Sequence, residues 1–291
     1  MGVEMRLPRF DRQLAIEAMP AMLVSGVGLV SAGLVLELVE GWPVTSAHPT
    51  LLMLLPMLLG LKCNLEMTLA SRLGTAFHTG VLGGSNFNKN NVFVSNMGVV
   101  QIQAVAVAAV SGLLAFIVSV LSGGTASLRS LLVLLFTSIV TSWADAVLLG
   151  LLTGLILVVS QRYNMDPDNL LGPLVASLGD LLAILVLGLS ATVIDSFSTF
   201  SLFLVFAAFL ALVLPFAYSL SGRDRRTAAV LRDGWTPYFL ALCFSSVAGY
   251  FLESGMHTLE RAGVMLISPL INGLGGNLAS VVSSKQSSAL H

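Results

Sequence analysis

Eight runs of about twenty predominantly apolar residues, the length that carries a helix across a bilayer, follow one another along this 291-residue chain. They extend from Ala15 to Val39, Thr50 to Leu73, Met97 to Leu121, Leu131 to Val159, Leu170 to Ile194, Phe200 to Leu220, Pro237 to Leu252 and Val264 to about Ser284. Hydrocarbon offers backbone amides no hydrogen bonds, so such runs must satisfy their own backbone as helices. The expected fold is all-α: a polytopic membrane helical bundle of about eight transmembrane helices, with the lipid bilayer as its first partner. Charged residues make up 10% of the chain, against about a quarter in water-soluble domains, and no stretch is long or polar enough for a soluble domain. No nucleic-acid partner is expected. Cys63 and Cys243 both fall in apolar runs, which supports neither a disulfide framework nor a zinc site. The first run exceeds a signal-peptide core and reads as an uncleaved span.

Lysine and arginine orient the bundle, because cytoplasmic loops carry their excess. With the amino terminus in the cytoplasm, eleven basic residues, from Arg6 to Lys285, fall on inner segments and span ends, while the outer ones hold only Arg129 and Arg261. Lys62 is left over, inside the second span. The expected location is the plasma membrane, as an integral multi-pass protein.

That second span is the least suited to lipid. Pro56 to Leu73, PMLLGLKCNLEMTLASRL, carries Lys62, Asn64, Glu66 and Arg72 together with Pro56 and Gly60. Pro269 to Lys285, PLINGLGGNLASVVSSK, repeats its pattern at an offset of 213, pairing Pro56 with Pro269, Gly60 with Gly273 and Asn64 with Asn277. Ser31 to Glu37 likewise falls on Val247 to Glu253 at an offset of 216. Spans one and two thus recur as spans seven and eight, in the same orientation, as in transporters built from parallel repeats. The expected plan is a cytoplasmic segment 1–14, a first transmembrane unit 15–195, a connector helix and basic loop 196–232, and a second unit 233–291 that stops after its second span.

Ionisable groups at membrane depth usually face a cavity, a partner or an ion path. Span five places Asp166, Asp168 and Asn169 at its inner mouth and Asp180 eleven residues beyond Asn169, roughly 16 Å deeper at 1.5 Å per residue. Hard divalent cations take oxygen ligands, and Mg²⁺ keeps several waters while using one or two carboxylates. The candidate metal-facing residues are therefore Asp180, Asn64, Glu66 and Asn277, with Asp166, Asp168 and Asn169 as a vestibule that concentrates cations. Each has a structural alternative. Asp180 can serve as an acid bonded to a neighbouring helix, and Asn64 can satisfy carbonyls around Pro56 and Gly60. Asp166 and Asp168 can cap the helix start. Lys62 and Glu66, four apart, are expected to pair with each other, and Arg72 to snorkel to the interface. Asp145 is open among facing the path, pairing with a base and being protonated. The chain has no GxSxG or HExxH motif, and Asp145 with Asp180 is the only deep acidic pair, so an enzyme is not expected.

Two stretches are similar to known signatures. GLKCNLEMTLASRL resembles the GLKGNLEMTLASRL signature of the solute carrier 41 family, and DPDNLLGPLVASLGD resembles its DNxxxPxxxSLGD signature. This family is related to MgtE-type magnesium transporters and carries two MgtE-like units per chain; here the second is expected to be truncated. The resemblance implies transport of Mg²⁺, or of divalent cations more broadly, with Asp180 at the ion path, Mg²⁺ as cargo and no cofactor. This chain departs from the pattern at Cys63, where the family has glycine, and at Asp145, where a small apolar residue is expected. A second counterpart of Asp180 would fall near position 393. That gap keeps open a homo-oligomer, or a hetero-oligomer with longer relatives. It also keeps open a non-transporting short form that modulates them.

Overall fold

The computed structural model describes residues 12–82, 91–124, 126–163, 165, 167–222 and 225–259, together with 273, 275, 276 and 282. Among these the chain is all helical: α1 (Arg12–Glu40), α2 (Pro43–Ala47), α3 (Thr50–His78), α4 (Asn91–Leu121), α5 (Leu128–Tyr163), α6 (Pro167–Asp195), α7 (Thr199–Ser221), α8 (Arg225–Asp233) and α9 (Thr236–Leu259). Six of them, α1 and α3 to α7, hold stretches long and apolar enough to cross a membrane, and α9 adds a shorter apolar helix over Thr236–Phe251. The expected polytopic bundle is therefore present, and its first six spans fall on these six helices. Of the expected eighth span only residues 273, 275, 276 and 282 are described.

α3 is the central element. It packs against α4, α5, α6 and α9, and α1 lies along α6. Its apolar surface is buried nearly all round, with Leu54, Met57, Leu69 and Leu73 at the centre of the core. A helix that is apolar on every side belongs inside a bundle, and its charged residues must then find partners there. By contrast α7 turns Phe203, Leu204, Leu212 and Phe216 outward, the surface a lipid-facing helix presents.

Polar clasps mark the two ends. At one end the turns after α1, α4 and α6 meet: Arg129 at the start of α5 donates to the carbonyls of Asp195 and Phe197 at 2.5 and 2.8 Å, and His48 lies 3.1 Å from the Asp195 carboxylate. At the other end Ser95 near the start of α4 donates to the Ser221 carbonyl at 2.6 Å and contacts the hydroxyl of Thr227. This grouping of turns is what alternate crossings of a bilayer require. Two short helices were not expected from the sequence. α2 begins with Pro43 at its first turn and folds the GWPVTSAHP connector back, held by Thr45 donating to the Val39 carbonyl at 2.8 Å. α8 forms within the basic loop that follows α7.

Candidate functional site

Three helices bring their ionisable residues together at mid-length. Lys62 and Glu66 sit near the midpoint of α3, Asp180 near that of α6 and Asp145 near that of α5. Lys62 is 4% exposed, Glu66 3% and Asp145 6%. The Lys62 ammonium donates to the Asp180 carboxylate at 2.6 Å and to the Ala176 carbonyl at 2.8 Å, and lies 3.6 Å from Glu66. The expected Lys62–Glu66 pair is thus present, but the shorter contact ties α3 to α6 through Asp180. Gly179 makes room for this. A Cβ there would overlap the Lys62 Cε, so this glycine serves the close approach of a side chain.

The lysine is short of carboxylate partners in neither direction. Both Glu66 oxygens and one Asp145 oxygen are buried without a hydrogen-bond partner. Asp145 lines, with Lys62 and Ser142, a gap too narrow for water. A separate cavity of about 340 Å³ is faced by Glu66 and Asp180. At about 30 Å³ per water molecule, it has room for an ion that keeps several waters. Among the described residues no group of three or more acidic, histidine or cysteine side chains converges as metal ligands.

The cavity wall comes from both copies of the repeated motif. Pro56, Gly60 and Cys63 line it from α3, Phe244, Ser245 and Ala248 from α9, and Gly273 and Gly276 from the second copy. Gly60 packs on Ser245 and Gly273 on Leu29. Under the offsets of 213 and 216 these are one contact made twice, with the partners exchanged. Cys63 and Gly276, also equivalent at 213, face each other: a Cβ on Gly276 would lie 3.3 Å from the Cys63 Sγ.

Other expected residues fall as follows. Asn64 donates to the Gly60 carbonyl at 2.8 Å, as its structural reading requires. Asp166 and Asn277 lie outside the described residues, and for Asp168 and Asn169 only the helix backbone of the first turn of α6 is described. Arg72 does not snorkel: its Nε donates to the Thr68 carbonyl at 2.9 Å and its terminal nitrogens are buried. Ser138 reaches its own helix at Leu135 and also the Ala108 carbonyl of α4, while Thr141 contacts Ser190 of α6. Gly28 packs on Ser177 where α1 lies along α6.

Residues 55–190 match the family model for MgtE, described as a divalent cation transporter. This region is similar to the MgtE family. The match takes in α3 from its sixth residue, all of α4 and α5, and most of α6, so Lys62, Glu66, Asp145 and Asp180 all lie inside the matched region. The chain is also 34% identical over 281 residues to solute carrier family 41 member 2 of Mus musculus, covering 96% of this chain and 49% of that protein. The corresponding values are 34%, 96% and 49% for member 2 of Gallus gallus, and 36%, 93% and 58% for member 3 of Rattus norvegicus. The resemblance drawn from the two motifs therefore extends over most of the chain. That chain spans about half the length of the curated relatives it matches. The family description and the relatives' names are those of transporters and solute carriers, in keeping with the expectation that it is not an enzyme. No solved structure matches it.

Proposed function

We propose that this integral membrane protein provides part or all of a path for divalent cations, Mg²⁺ above all, with Asp180 and Glu66 as its midplane acids. One observation carries the reading: two carboxylates from different helices, one without any hydrogen-bond partner, face a cavity walled by both copies of the polar motif. Two carboxylates and a hydrated volume suit Mg²⁺, which gives up its waters reluctantly. The family description and the relatives' names support the class of cargo. Asn64 contributes by holding the α3 backbone at Gly60, and Asn277 is assigned the same task in the second copy. Asp166, Asp168 and Asn169 form the cytoplasmic vestibule, and the protein resides in the plasma membrane with its amino terminus inside.

The test is Mg²⁺ flux into proteoliposomes containing the purified chain. Asp180→Asn, which keeps the shape and removes the charge, should lower flux at least tenfold with the protein still folded and inserted. Unchanged flux in that variant would remove Asp180 from the path.

A further inference from the structure

The mechanism above leaves Lys62 unexplained, because a fixed ammonium 2.6 Å from Asp180 opposes any cation that approaches the same carboxylate. Its surroundings supply the explanation. Ionised, Glu66, Asp145 and Asp180 carry three negative charges and Lys62 one positive charge, so the cluster as a whole is two charges short of neutrality. A divalent cation makes up that difference, and a monovalent one does not. Asp145, whose one buried oxygen has no hydrogen-bond partner, shares the narrow gap with Lys62, beside the equally unpartnered Ser142 hydroxyl. A lysine side chain is a flexible stem bearing a compact charge. Lys62 and Asp145 line the same gap, which makes this third carboxylate a neighbour of the ammonium.

We infer that Lys62 is a tethered competitor of the transported ion. It occupies Asp180 and approaches Glu66 when no divalent cation is present. The arriving cation displaces it toward Asp145 and Ser142, and its return helps expel the ion. Lys62 is then a specificity residue and a release device, and Asp145 is its alternate holder. This rests on the reading of Asp180 and Glu66 as ion-facing acids. Gly179 serves the cation-free arrangement, since the absence of a Cβ there lets the Lys62 stem lie against α6 beside Asp180.

The experiment measures Mg²⁺ binding by calorimetry and Mg²⁺ flux in proteoliposomes for the full chain. The main variant is the double substitution Lys62→Met with Asp145→Asn. It removes one charge of each sign, keeps the net charge of the cluster, and avoids the folding risk of Lys62→Met alone. Without the competitor, Mg²⁺ should bind about tenfold tighter or more, and flux at saturating Mg²⁺ should fall severalfold because release is no longer assisted. Asp145→Asn alone should weaken Mg²⁺ binding, because the displaced lysine loses its holder. The inference is overturned if the double variant binds Mg²⁺ no more tightly than the parent while Asp180→Asn abolishes binding; the site then stands and the lysine's role does not. If Asp180→Asn binds Mg²⁺ like the parent, the ion site itself falls, and this inference falls with it.

Discussion

Lys62 shows how a single side chain can be costly and retained. A buried ion pair recovers its desolvation cost only when geometry and further hydrogen bonds are good, and removing one partner typically costs about 3–5 kcal/mol. Here the lysine has one short carboxylate contact, one carbonyl and a second acid within reach. Lys62→Met should therefore destabilise the protein by about that amount, read as a lower midpoint in thermal unfolding of detergent-solubilised protein. Adding Asp145→Asn should restore part of it. A single variant no less stable than the parent would mean that the three acids do not depend on this base. From the sequence, the presence of Lys62, Glu66 and Asp180 at membrane depth was legible, because charge inside an apolar run stands out. Which carboxylate the lysine prefers was not. Helical spacing gives Glu66 as its partner, and the Asp180 contact depends on how α3 crosses α6.

Elements here are held by close approach as much as by polar contact. A Cβ on Gly98 of α4 would lie 2.5 Å from the Ser221 amide nitrogen and 2.6 Å from the Ala217 carbonyl of α7, leaving no flexible atom to give way. Small residues at crossings let membrane helices pack through van der Waals contact where the hydrophobic effect supplies little. Gly98→Ala should cost about 1–3 kcal/mol by overpacking, whereas Gly26→Ala, with nothing within 4 Å, should change stability by less than about 0.5 kcal/mol. Unfolding midpoints of the two purified variants decide this, and equal midpoints would refute the crossing argument. The order of the six long apolar helices was legible in the sequence because bilayer length is a one-dimensional property. The glycines that pack were not, since Gly26 and Gly28 differ only in the side of α1 they occupy. α2 and α8 escaped notice for another reason: a helix of five or nine residues is too short for an apolar run to mark it.

At the scale of the whole molecule, the cavity joins parts of the chain more than two hundred residues apart, and Cys63 gives direct access to it. In a Cys243→Ser background a small methanethiosulfonate reagent should modify Cys63, and millimolar Mg²⁺ should slow that modification severalfold if the ion occupies the same space. Equal rates with and without Mg²⁺ would place the ion elsewhere. The offset of 213 announced the repeat before any coordinates, yet a sequence cannot say how two copies face one another.

The Gly60–Ser245 and Gly273–Leu29 contacts answer that question. When a contact recurs with its partners exchanged, the two copies are related by an approximate twofold rotation, and a position that meets its own counterpart lies on the axis. Cys63 and Gly276 are such a position. In the parallel arrangement expected from the sequence that axis follows the membrane normal, and the space beside Cys63 lies on it. A thiol on one side and a hydrogen atom on the other break the symmetry of the duplicated motif at the axis itself, as Lys62 against Gly275 and Glu66 against Ala279 break it beside the axis.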